Sequence, residues 1–224
     1  MNHAHPTASQ APQLGLPYKQ GRSKHTYDAM VSAGFKLLEE RDFQDISIAD
    51  LTQEAGYSVG AFYARFRSKD EFFDVLVAQH LDNRTATQIA LFATLPRAEL
   101  LSKLVEDIVG YYWQYRKFWR AVLLRSVRDP EFYNPMRQHR QDTTQRFIQH
   151  LAQETGRELY SGECGNIAFA FMVVYGTLDS IVINEPGELP MDQAQFTANL
   201  TRTFALVSGA GTLLIRPSEQ PPGN

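Results

Sequence analysis

Apolar residues recur at three- and four-residue steps through most of this chain, and no stretch alternates apolar with polar residues as a half-buried strand would. The first periodic run, about Lys24 to Arg41, places Tyr27, Met30, Val31, Gly34, Phe35, Leu37 and Leu38 on one broad helical face. Ser47-Ile-Ala-Asp50 has the form of a capping box and predicts a short helix from about Ile48 to Ala55. Gly56 suits the left-handed turn that closes such a helix. Ser58 then caps a third short helix to about Ala64, and Ser68-Lys-Asp-Glu71 opens a long helix that reaches Thr94 before Pro96. Further helices are predicted at about Ala98–Tyr115, Lys117–Val127, Pro130–Glu154, Gly162–Asn184 and Met191–Leu206. Pro96, Asp129-Pro130 and the segment Pro186–Pro190 separate them. Helices joined by short connections predict an all-α fold.

Residues 1–20 are rich in Pro, Ala, Gln and His without any acid, and read as a disordered arm. Residues 216–224 read as a frayed tail. Between them the expected division is residues 21–68, a small N-terminal helical domain, and residues 69–215, a larger helical one. The net charge of −3 excludes binding of nucleic acid by bulk charge, so any such contact must come from a local patch. Residues 1–69 hold eight Lys/Arg against seven Asp/Glu, whereas residues 111–146 hold eight against three. Cys164 is the single cysteine, which excludes an intrachain disulfide and a cysteine-based zinc site. His139 and His150 stand about three turns apart on one helix, a poor match for one ion, so neither metal nor cofactor is assigned. The chain starts without a signal pattern, and its most apolar run, Ile167 to Ile183, is interrupted by Gly176, Thr177, Asp179 and Ser180. No membrane span and a cytoplasmic protein are expected.

The pair of short helices around Gly56 has the proportions of a helix-turn-helix. Ile48, Leu51 and Ala55 face inward from the first helix, and Val59, Phe62 and Phe66 anchor the second. Arg65, Arg67 and Lys69 follow directly, where phosphates would flank an inserted helix. Lys69 also falls in the first turn of the long helix, whose N–H groups favour anions.

The run from Ser47 to Phe73, and above all Ala55-Gly56-Tyr57-Ser58-Val59-Gly60-Ala61-Phe62-Tyr63 with Phe66 and Ser68-Lys69, resembles the DNA-binding domain of the tetracycline-repressor (TetR) family of bacterial regulators. The likeness covers about Lys24 to Leu81. It implies operator DNA as partner, with contacts at Ser47, Ser58, Gly60, Ala61, Tyr63 and Lys69, and with Arg22 and Lys24 as a basic arm. Val59 lies where many members carry a polar residue, so direct readout leans on Ala61, Tyr63 and apolar contact with thymine methyls. Asp42 stands where a Gly often follows the first helix and is expected to keep a left-handed turn. The resemblance also implies a helical second half that dimerises and binds a small effector, with repression released by that ligand.

A competing reading is an α/β hydrolase, since Gly56-Tyr57-Ser58-Val59-Gly60 matches the G-x-S-x-G nucleophile elbow. That motif requires a strand before the serine, and here a capped helix precedes it, so no enzyme is expected.

In the larger half, Leu101, Leu104, Val105, Ile108, Tyr112, Tyr115 and Trp119 fall on one helical stripe. Such a stripe serves as packed core, or its Tyr and Trp tips line a ligand pocket. Arg116, Arg120 and Arg125 beside it read either as a solvated basic face or as holders of an anionic amphipathic ligand, an acyl chain or an aromatic acid. The run from Gly162 to Asn184 is apolar nearly all round, which predicts the core on one side and a second subunit on the other. Met191–Leu206, with Phe196, Leu200, Phe204 and Val207, would complete a four-helix dimer interface. Phe171, Met172 and Tyr175 are candidates for both interface and pocket. Ile108, Tyr112, Tyr115, Arg116 and Trp119 complete the candidate ligand set.

Overall fold

The computed structural model describes residues 22–184 and 192–210. The arm, the tail and the proline-bounded segment expected at 186–190 lie outside those residues, as does the side chain of Arg22. Nine α-helices and two 3-10 turns are described, with no strand among them: α1 (Arg22–Glu40), a turn at Phe43–Asp45, α2 (Ile48–Ala55), α3 (Val59–Tyr63), α4 (Lys69–Thr94), α5 (Arg97–Gln114), α6 (Arg116–Arg128), a turn at Pro130–Tyr133, α7 (Asn134–Thr155), α8 (Ser161–Asn184) and α9 (Gln193–Ser208).

Local chemistry sets most of these boundaries. Ser47 Oγ accepts the Asp50 N–H at 3.1 Å while the Ser47 N–H donates to Asp50 Oδ2 at 2.7 Å, a complete capping box. Hydrogen bonds from the Ser47 hydroxyl (2.7 Å), the Ser47 N–H and Arg41 hold the Asp50 carboxyl at about 2, well below its ordinary value. Ser68 caps α4 through the Glu71 N–H at 3.0 Å, but Glu71 accepts from the N–H of Arg67, one residue before the cap. The second box is therefore half formed. Asp192 caps α9 through the Gln195 N–H at 2.8 Å. The helix expected to open at Pro130 instead starts as a 3-10 turn, because Asp129 binds the Phe132 N–H and α7 begins afresh at Asn134-Pro135. Asp42 is extended (φ −69°, ψ 143°), so the left-handed turn expected there is replaced by an extended exit from α1.

The core is continuous from one half of the molecule to the other. Gly34 lets α1 approach α4 so closely that a Cβ there would lie 2.8 Å from Phe72 Cζ. Phe43, Phe73, Phe118 and His80 form a column of rings at successive centroid distances of 4.3, 5.8 and 4.2 Å. It continues from His80 to Trp119 (5.3 Å) and Tyr112 (4.6 Å). The small N-terminal unit is thus bolted to α6 and to the middle of α4.

Helix α8 is long and apolar enough to cross a membrane by length and composition alone, but Ile167, Ala170, Phe171, Val174, Tyr175, Leu178 and Val182 pack into the core. Its other face is open: Phe169 is 52% and Met172 61% exposed, with Gly165, Ala168, Gly176 and Ser180 between and beyond them. The core expected on one side of this helix is there, and the exposed side is the one expected to face a second subunit. On α9, Phe196, Leu200 and Phe204 point inward, while Leu206 is 77% exposed.

Candidate nucleic-acid interface and buried cavity

Gly56 closes α2 at φ 74°, and the Tyr57 N–H reaches back to the Thr52 carbonyl at 2.8 Å. That turn aims the chain at α3, where Ser58 Oγ accepts the Ala61 N–H at 3.2 Å. Ser58 is an N-cap between two helices, and no strand among the described residues precedes it, so the geometry of a hydrolase elbow is absent. Helix α3 is short, and its inner side is held by rings. Phe62 and Phe66 are buried and meet Phe72 at 5.6 and 4.9 Å, while Tyr27 closes on Phe66 at 5.6 Å. Tyr57 adds a tie to α1, with its hydroxyl 3.0 Å from His25 Nδ1.

The outer side of α3 carries no such packing. Val59 is 43% and Tyr63 56% exposed, one turn apart, with Gly60 exposed beside them and Ala61 half-buried. Val59, expected as an anchor, therefore belongs to the outer face; the anchors are Phe62 and Phe66. Ser47, Ser58 and Lys24 are exposed nearby. The basic cluster is more varied than expected. Arg65 turns back and donates to the Ala61 carbonyl at 2.8 Å. Arg67 pairs with Glu71 at 3.1 Å. Lys69 lies 4.4 Å above the Phe43 ring and donates to the Gln44 carbonyl at 3.3 Å, and burial lowers its pKa.

The candidate ligand residues separate into two groups. Ile108, Tyr112, Trp119 and Tyr175 line a small, partly open cavity between helices α4 to α8, of about 20 Å³, room for one water molecule. Tyr115, Arg116, Phe171 and Met172 do not line it. Tyr115 sits at the joint where α5 ends and α6 begins, which interrupts the expected stripe. Arg116 is exposed, Phe171 packs on Phe147 and Phe204, and Met172 is on the open face of α8. Arg125 bonds Asp74 at 2.9 Å and lies over Phe132, and Arg120 donates to the Ile183 carbonyl.

Different cations reach the cavity. Arg84 on α4 is held by both oxygens of Asp107 and lies 4.0 Å from the Tyr111 ring centre. Arg140 on α7 is bidentate to Asp179 at 2.7 and 2.9 Å and donates to the Tyr112 hydroxyl at 2.5 Å. Thr85 bonds His139 at 3.1 Å, and Thr143 donates to Gln88 at 2.7 Å, so α4 and α7 are clamped by polar groups. Burial, with the nearby Arg84 charge, brings His80 down to about 3 and His139 to about 4, so both are neutral at pH 7. Sequence reasoning missed Arg84, Gln88, His139 and Arg140. The available signal was polar residues in core register: Arg84 and Gln88 three and seven positions after Leu81, and His139 and Arg140 three and four after Met136.

Residues 30–76 match the family described as bacterial regulatory proteins, tetR family. A curated relative, the uncharacterized HTH-type transcriptional regulator YwcC of Bacillus subtilis, is 42% identical over 53 residues. That match spans 24% of either chain, so this chain covers about a quarter of the relative's length. Among solved structures, a TetR-family regulator from Mesorhizobium loti shares the fold at TM-score 0.65 and 15% identity, over 85% of this chain and 98% of that one. FadR of Bacillus subtilis, solved in complex with stearoyl-CoA, does so at TM-score 0.59 and 14% identity, over 82% and 98%.

Proposed function

We propose, from the match of residues 30–76 to the tetR family of bacterial regulatory proteins, that this chain is a ligand-responsive transcriptional regulator of that family. A cytoplasmic homodimer binds a palindromic operator through two copies of α3, and a small molecule entering the cavity among α4 to α8 releases it, as from a repressor. The observation that carries the reading is α3 itself: a rigid short helix, locked by Phe62 and Phe66, that offers Val59, Gly60 and Tyr63 to whatever it meets. Neither Val59 nor Gly60 supplies a side-chain hydrogen bond to a base edge. Affinity therefore rests on phosphate contacts from Tyr63, Lys69 and the arm with Arg22 and Lys24, and sequence choice partly on DNA shape. Lys69 must leave the Phe43 ring to reach a phosphate, so its contact is tied to the position of the turn at Phe43–Asp45.

The homodimer is supported by exposed apolar side chains on α8 and α9, Phe169, Met172 and Leu206, which a second copy would cover. Communication between the halves is supported by the ring column from Phe43 to Tyr112 and by the clamps that α4 makes with α7. A ligand acts only by its preference for one arrangement of α4 over the other. FadR, with the same fold, holds stearoyl-CoA; a ligand role for the helical half here is consistent with that.

The test is fluorescence anisotropy on an operator fragment selected with the purified protein. Tyr63→Ala should weaken binding at least about tenfold, and Lys69→Ala should reduce the salt slope by about 1. Lys103→Ala, on α5 and paired with Glu106, should change neither. Wild-type binding by both Tyr63→Ala and Lys69→Ala would overturn the assignment of the head.

A further inference from the structure

We infer that the cavity takes a small planar organic anion, an aromatic carboxylate, and not an extended acyl chain; the inference rests on the reading of the cavity as the effector site. Its walls are unbalanced in hydrogen-bonding character. Arg84 and Arg140 line it from facing helices, whereas Asp107 and Asp179, which hold them, do not. An arginine has five N–H donors. Arg84 directs two of them to Asp107, and Arg140 directs three to Asp179 and Tyr112, so donors remain on each.

Trp119 supplies an independent observation. It is buried and lines the cavity, and its indole N–H, a donor only, finds no acceptor among the protein's own groups. The acceptor for this donor must therefore come from whatever occupies the cavity, and a carboxylate oxygen supplies one.

The wall shapes select a flat molecule. Tyr112 and Trp119 stack in parallel, 4.6 Å apart and 4° from coplanar. Tyr111 and Tyr175 each carry a guanidinium on one face, at 4.0 and 4.5 Å. A ring enters among such faces, and its carboxylate meets guanidinium donors in the bidentate geometry they favour. Methylene groups in the same place would leave Arg84, Gln88 and the Trp119 N–H facing hydrocarbon. Because the cavity now has room only for a water, entry must part its walls. The bonds at stake are Thr85 to His139 and Gln88 to Thr143, which hold α4 against α7.

The experiment is calorimetric titration of the full-length protein with benzoate and 2-naphthoate against decanoate, benzyl alcohol and benzylamine, with operator affinity measured in the same samples. The aromatic carboxylates should bind at least tenfold more tightly than the other three. Trp119→Phe keeps the stacked ring and removes the donor, and should weaken the carboxylates about tenfold. The double variant Arg140→Gln with Asp179→Asn preserves a hydrogen-bonded pair and should erase the preference for benzoate over benzyl alcohol. Tighter binding of decanoate or benzylamine, no binding of either carboxylate, or wild-type affinity in Trp119→Phe would overturn the inference. If decanoate or benzylamine binds and releases DNA, the ligand class is wrong while the effector reading stands. If benzoate binds and operator affinity does not move, the effector reading fails and the ligand class stands.

Discussion

At the scale of single residues, burial decides what each side chain of the head can do. Phe62 and Tyr63 are neighbours, yet one is sealed in the core and the other half out of it. The helical period makes that difference legible in the sequence, as the Ser-x-x-Asp spacing does for the capping box of α2. Arg65 shows the limit: a long side chain finds the nearest carbonyl, that of Ala61, and no pattern of residues announces the rotamer. Val59 shows another, because an apolar type predicts burial only where the helix turns it inward. Arg65→Ala is accordingly expected to weaken operator binding less than Tyr63→Ala, measured by the same anisotropy titration. Gly34 gives a stability prediction. Gly34→Ala forces a methyl against Phe72 and should destabilise by about 1–3 kcal/mol in urea unfolding; an unchanged midpoint would deny the close approach of α1 to α4.

At the scale of elements, helix starts were readable where a serine caps them, at Ser47, Ser58 and Ser68. The break at Asn134 was not, because Pro130 and Pro135 each permit a helix start and only the Asp129 cap decides which segment is a 3-10 turn. The same limit applies to the candidate ligand set. A stripe from Leu101 to Trp119 assumes one continuous helix, but α5 stops at Gln114, and the cavity takes Ile108, Tyr112 and Trp119 without Tyr115. Arg84 and Arg140 escaped notice because charged residues in core register look like interruptions until a partner helix supplies Asp107 and Asp179. For α8, an open face that includes Phe169 and Met172 predicts that Met172→Asp converts a dimer to a monomer in light scattering and lowers operator affinity with it. A dimer that survives this change would place the subunit contact elsewhere.

At the scale of the whole molecule, the continuous core makes the two halves one mechanical body, and buried polar groups set its response to acid. His80 and His139 have folded-state values of about 3 and about 4, below the ordinary value near 6.5. The unfolded chain therefore binds protons first as pH falls. The stability they favour is complete above about pH 6.5 and declines below it, until the folded values are passed. Each histidine contributes a slope of up to about 1.4 kcal/mol per pH unit within that window. The unfolding midpoint should drop between pH 6.5 and 5, and His139→Asn should make the drop shallower; a flat profile would contradict neutral burial of these rings.

The central claim is that two copies of α3 read one duplex, and selection from a random pool of duplex DNA by the full-length protein tests it most directly. The expected product is a palindrome whose half-sites lie on one face of the duplex, about 34–36 Å or one helical turn apart or a multiple of it, with enrichment lost for Tyr63→Ala. A pool that stays random, or an equal enrichment by Tyr63→Ala, would contradict the account.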